Sequence, residues 1–173
     1  MKKIISIFAS ICVLLLFVSA NTTPAQAASY DKAYATKTLS VKSSAGTSYK
    51  TLGKIKEGSV VNVYGAVAVG KDQDDWYGYQ QYGWSKIKYN NKTGWVKTHE
   101  LHFADPYKWT PGVKDEVIKS LKKYYLSKND KMKLVKADYF SNEGRYVCYV
   151  QFGGKGKWYP FVTINIKTGW YHG

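Results

Sequence analysis

The chain has 173 residues, with 26 Lys plus Arg against 12 Asp plus Glu, a formal charge of +14, and 45% hydrophobic and 16% aromatic residues. A chain this aromatic can bury a core and is not a disordered tail, and its length allows one ordinary domain or two small ones but excludes a large enzyme. Arg145 is the only arginine among the cations. Guanidinium forks read guanine edges and clamp phosphates, whereas ammonium groups act as point charges, so the basic balance points to diffuse attraction toward an anionic polymer and away from nucleic acid.

The start of the chain reads as an export signal. Lys2 and Lys3 give a positive beginning, residues 4–18 are apolar apart from Ser6 and Ser10, and Ala25 and Ala27 place small residues two apart before Ala28. This is the secretory pattern, with residues 1–27 expected to be removed. The apolar run is shorter than the ~20 residues a membrane span needs, and Asn21 to Pro24 end it, so no membrane attachment is expected after cleavage. Cys12 follows bulky Ile11 in the middle of the run, which does not suit lipid attachment. Cleavage leaves Cys148 as a single thiol, so no intramolecular disulfide can hold the fold and packed aromatics must do so. Between Tyr146 and Val150, Cys148 reads as a buried strand residue and not as a nucleophile.

Residues 28–103 show short strands at 38–42, 51–55 and 59–64, separated by turns around Gly46 and Gly58, and a hairpin of 84–89 with 95–96 about residues 90–94. In that turn Asn90, Asn91 and Gly94 are expected to supply positive φ. A regular beat of short strands without helical periodicity implies a small barrel or sandwich. The segment from Leu39 to Lys50, then Leu52-Gly53-Lys54-Ile55, residues 56–63, the Trp84 strand, and Lys92-Thr93-Gly94-Trp95-Val96 followed by Leu101 are similar, in order, to bacterial SH3-like (SH3b) domains of exported cell-wall proteins. Ser40 stands where that family usually has Asn, Lys42 where it has Arg, and Ser44 and Ala45 where it has Gly and Pro; these changes bear on ligand specificity more than on fold. A further departure is an insertion at about 67–82 that holds Asp72, Asp74 and Asp75 beside Trp76, Tyr77, Tyr79 and Tyr82. So aromatic a segment is costly to leave in water, so it either packs on the protein or forms a binding lip. The three acids lack the Gly and Glu of a calcium loop.

Residues 104–173 begin with a break at Asp105-Pro106. Thr110, as a capping residue, and Pro111 open a helix expected to run to about residue 126, with Val113, Val117, Leu121 and Tyr124 on one face, supported by Ile118 and Tyr125. Asp115 and Glu116 come early and Lys122 and Lys123 late, which suits the helix dipole, and the lysine face is read as solvated. Period-two patterns follow at 133–140, 145–152 and 158–166. The fold class expected is mainly β, a small SH3-like barrel followed by an αβββ domain that resembles peptidase-propeptide-like or cystatin-like modules of exported proteins and identifies no site. Lys-Thr-Gly-Trp occurs at 92–95 and at 167–170. The second copy lacks a counterpart of residues 41–49, so two hairpins of like turn chemistry explain the match better than a duplication.

Catalytic patterns are missing. Cys148 sits in a strand and not at a helix start, and the histidines are His99, His102 and His172, with His99 and His102 bracketing Glu100 and Leu101 unlike a zinc-protease motif. No cofactor or metal is expected. A glycosidase's carboxylate pair is not excluded by sequence. The SH3b resemblance implies a secreted, wall-located, non-enzymatic protein that binds peptidoglycan peptides, aided by lysine attraction to anionic wall polymers. The ligand residues expected are Lys42, Tyr49, Trp76, Tyr77, Tyr79 and Tyr82, with Trp84 and Trp95 in the core. The alternatives are a regulator or inhibitor of an exported enzyme, docking that protein through the C-terminal domain, and a minimal wall hydrolase.

Overall fold

The computed structural model describes residues 29–68, 83–140 and 143–173. Among these, seven strands, β1 (Asp31–Ala35), β2 (Leu39–Lys42), β3 (Thr51–Ile55), β4 (Val60–Val67), β5 (Trp84–Tyr89), β6 (Lys92–Lys97) and β7 (Leu101–Phe103), form one antiparallel sheet in the order β3-β2-β6-β5-β4-β1-β7. Alternation turns Ala33, Leu39, Val41, Val61, Val63, Ile87, Val96, Leu101 and Phe103 into a single core, so the sheet curls around one apolar interior. Strand β1 lies upstream of the first strand expected from the sequence. Its inward positions are Asp31, Ala33 and Ala35, a carboxylate and two small residues, which give no β-branched signal. The β5–β6 hairpin turns on Asn90 (φ 48°) and Asn91 (φ 60°) alone. Gly94, expected in that turn, instead lies within β6, where a methyl group would strike Val41.

Among the described residues the second unit has one α-helix, α1 (Val113–Tyr124), on a sheet of β8 (Lys131–Phe140), β9 (Glu143–Gln151), β10 (Tyr159–Asn165) and β11 (Tyr171–His172), in the order β11-β10-β9-β8. The three long strands are those expected from the period-two patterns, and the two-residue β11 is added after the turn at Gly169 (φ 80°). The architecture is mainly β, as the sequence implies. Val113, Val117 and Leu121 bury against Cys148, Val150, Val162 and Ile164. Tyr124, expected on that face, is exposed because it ends the helix. The capping expectation also fails: the residue before α1 is Gly112, left-handed at φ 81°, with no side-chain cap. Thr110 is buried, its hydroxyl 3.4 Å from Asp31 Oδ2.

The Thr110–Asp31 contact belongs to a junction between the two sheets. Lys167, fully buried, donates from Nζ to Asp31 Oδ2 at 2.7 Å, to the Asp105 carbonyl at 2.7 Å and to the Lys108 carbonyl at 2.6 Å. The same ammonium lies 4.4 Å from the Phe103 ring centroid. Three donors thus meet three acceptors, which is the condition under which a buried cation is tolerated. Burial pushes the Asp31 carboxyl up and the Lys167 ammonium down from their ordinary pKa values, and their mutual contact opposes both shifts. Close by, Asn165 donates to the buried Glu143 carboxylate, and its own Oδ1 accepts from the Lys167 backbone N–H at 2.8 Å. Gly144 donates to the Pro106 carbonyl at 2.8 Å, an approach so close that a methyl group at residue 144 would strike that carbonyl.

Lys167→Met keeps the volume but strands Asp31 as an unpaired buried charge, so urea unfolding followed by far-UV circular dichroism should show a loss of about 3–5 kcal/mol; the additional change Asp31→Asn should recover part of it. Burial also raises the Glu143 pKa, partly opposed by the Asn165 hydrogen bond. The folded state therefore holds this proton more tightly than the unfolded chain, and its contribution to stability is fully present below the ordinary glutamate pKa of about 4.3 and is lost as pH rises through the raised value. Melting temperature against pH should show that decline in the parent protein and a weaker one in Glu143→Gln.

Candidate functional site on the outer face of the first sheet

With Ser85 and Ile87 of β5 and Gly94 and Val96 of β6 facing inward, the intervening residues Trp84, Lys86, Lys88, Thr93, Trp95 and Lys97 face out. Trp95 pairs directly with Lys86 on β5 and with Lys42 on β2. Directly opposed residues share a face at side-chain contact range, so this indole stands between two lysines. Lys42 is steadied by donating to Thr51 Oγ1 at 3.0 Å. The pattern continues across the sheet. Lys88 Nζ lies 5.5 Å from the Tyr64 ring centroid, Tyr64 lies 5.9 Å from Tyr30, and Lys108 Nζ lies 5.8 Å from the Tyr30 ring while donating to the Tyr30 carbonyl. The register shift between Val63 and Gly65 makes Tyr64 the extra residue of a bulge, a device that re-aims a side chain.

Strands β2, β4, β5 and β6 contain no Asp or Glu. The face therefore offers partly exposed aromatic rings separated by ammonium groups, each able to meet an anionic oxygen while a ring meets an apolar surface. Of the residues expected to bind ligand, Lys42 sits in this row. Tyr49 lies in the β2–β3 hairpin loop, whose base is closed by Ser43 N–H donating to the Lys50 carbonyl at 2.9 Å. Trp76, Tyr77, Tyr79 and Tyr82 lie outside the described residues, in the segment that joins the paired ends Val67 and Trp84.

Trp95, expected in the core, is instead half-buried on the outer face, and Lys86, Lys88, Tyr64 and Tyr30 join it there unanticipated. The signal that finds them is register: once Ile87 and Val96 are assigned inward, Trp95 and Lys86 must face out. Trp84 is buried, yet on the outward side and not in the first sheet's core. The second unit covers that end of the face, since Ala66 packs against the helix-side core and a methyl group on Gly83 would strike Thr168. Cys148 is fully buried among apolar residues, and burial pushes its thiol up, away from a reactive thiolate. Among the described residues no three His, Cys, Asp or Glu side chains converge into a metal-ligating group.

Residues 37–102 match the family model of the bacterial SH3 domain, a stretch that runs from β2 into β7 and holds the whole lysine–aromatic row except Tyr30 and Lys108. That segment of the chain is a bacterial SH3 domain. Comparison with curated proteins and with solved structures gives no match.

The two outward tryptophans should separate in stability. Trp84→Ala removes a buried ring at the junction and should cost about 3–5 kcal/mol in urea unfolding, whereas Trp95→Ala, on the open part of the face, should cost about 1 kcal/mol or less.

Proposed function

We propose that the chain is an exported, non-enzymatic protein of the bacterial cell wall, whose SH3 domain binds peptidoglycan peptides through the outer face of its sheet while its lysines draw it to anionic wall polymers. The bacterial SH3 match supports a cell-wall role. The observation that carries the finer reading is the Lys42–Trp95–Lys86 row: an aromatic wall for the aliphatic parts of a peptide, with a cation on each side for its carboxylates. Lysine rather than arginine at these positions suits a repetitive anionic polymer, where attraction matters more than bidentate geometry. The secretory pattern of residues 1–27 supplies the route to the wall.

The chain from residue 28 onward should sediment with purified sacculi at low salt and be released as salt screens the ammonium groups. Trp95→Ala should reduce the bound fraction even at low salt, and Lys42→Ala should flatten the salt dependence. No sedimentation at low salt, or two variants indistinguishable from the parent, would remove the reading; clearing of wall-embedded gels by the protein would replace it with a hydrolase.

A further inference from the structure

The junction between the two sheets holds an amine and a carboxyl group against each other in a dry site. Lys167 Nζ lies 2.7 Å from Asp31 Oδ2, and the two side chains are 0 and 1% exposed. The Phe103 ring closes on the same nitrogen, its centroid 4.4 Å away. The partners are 136 residues apart in the chain, yet the fold leaves them no freedom to separate. Well-oriented groups held in this way reach effective concentrations of roughly 10⁵–10⁸ M.

The surroundings favour the neutral pair. Among the described residues, the second carboxyl oxygen, Asp31 Oδ1, is buried and has no hydrogen-bond partner. A carboxylate would place half its charge on that oxygen with nothing to solvate it, whereas the carbonyl oxygen of an acid or an amide carries far less. Burial acts in the same sense, raising the Asp31 pKa and lowering that of Lys167. The attraction between the two groups, and the smaller pulls of Lys108 on the carboxyl and of Asp105 and Glu143 on the ammonium, oppose these shifts without cancelling them. Passing one proton from Nζ to Oδ2 turns the ion pair into an amine beside a carboxylic acid. The two hydrogens left on the amine stay on the carbonyls of Asp105 and Lys108, at 2.7 and 2.6 Å, so its lone pair points at the carboxyl group.

We propose that Lys167 and Asp31 condense into an intramolecular isopeptide bond that joins the two units covalently. Nζ attacks Asp31 Cγ and the Cγ–Oδ2 bond breaks. The departing oxygen already carries one proton and takes a second from Nζ, so one water molecule leaves and nothing is oxidised or reduced. Oδ1 becomes the amide carbonyl. The Thr110 hydroxyl, 3.4 Å from Oδ2, is placed to steady the departing oxygen. The product keeps its hydrogen bonds: the single amide hydrogen stays on the Lys108 carbonyl, and the Asp105 carbonyl retains the Lys108 backbone N–H at 3.3 Å. Such a bond gives this fold the covalent closure that the lone buried Cys148 cannot provide.

The test weighs the chain from residue 28 onward, unfolded in guanidinium, by intact mass spectrometry. The expected mass is that of the sequence less one water. Trypsin should release a branched peptide in which residues 28–32 are joined to residues 158–173. Lys167→Arg keeps the positive charge but offers no nucleophilic amine, and it should show the full sequence mass. A parent preparation of two masses whose lighter form grows on incubation under native conditions, and not in guanidinium, would also support the bond. The full mass alone in the parent, unchanged by incubation, overturns the inference whether or not any variant folds. So does a loss of water that maps within one unbranched peptide, or that persists in Lys167→Arg.

Discussion

The ammonium of Lys167 has no exposure to water and yet keeps a full set of acceptors: the Asp31 carboxylate and the carbonyls of Asp105 and Lys108. These partners come from the first strand of one sheet and from the connection that leaves its last strand, while the lysine comes from the turn between β10 and β11 of the other. Because a buried cation tolerates no missing partner, it fixes three chain segments relative to one another far more stringently than apolar contact could. The neighbouring backbone bonds, Thr110 to Ile166, Ile166 to Gly144 and Gly144 to Pro106, run through the same place and depend on the same registration. Desolvation offsets much of the attraction in such a pair, whereas removing one partner leaves an uncompensated buried charge, so the contact is felt mainly when it is broken.

That arrangement decides which part of the first sheet is open. Among the described residues the second unit closes over the end of β4 and β5 marked by Ala66 and Trp84 and leaves Lys42, Trp95 and Tyr64 on the outward face partly exposed. The strands of the SH3 domain are thereby divided into three zones by alternation and coverage together: an inward core, an outward junction and an outward lysine–aromatic row. Trp84 and Trp95 lie on the same side of neighbouring strands, and the covering unit makes one buried while the other stays half-exposed.

Much of the fold was legible in the sequence because it depends on local signals. Periodicity two marked β2 to β5 and the long strands of the second unit, and Asn90-Asn91 marked a tight turn. What escaped was whatever depends on partners distant in the chain. The first strand, β1, has a carboxylate and two alanines on its inner face and becomes a strand by pairing with β4 and β7. Thr110 looks like a helix cap until Asp31, 79 residues away, claims its hydroxyl. Lys167 reads as a turn residue, since nothing local announces a buried ion pair. In the candidate site, Lys42 was recoverable from the motif alone, whereas Trp95 required register, because a lone tryptophan in a strand is as compatible with a core as with an open face.

The charge can be partitioned on the same grounds. Lys167 and Arg145 are buried and face Asp31 and Glu143, so the excess charge presented to the outside resides on exposed lysines. Many of these stand over rings, as Lys32 does over Tyr34, Lys88 over Tyr64, Lys123 over Tyr124 and Lys133 over Trp158. A cation held against a ring loses some freedom in advance and so gives up less on meeting an anion, while the ring itself remains available at its edge or opposite face. Each such contact is weak and screened by salt, and its value lies in repetition. A surface built from many of them is suited to a long polymer with the same groups recurring along it, and poorly suited to a single compact ligand, which could engage only one or two at a time.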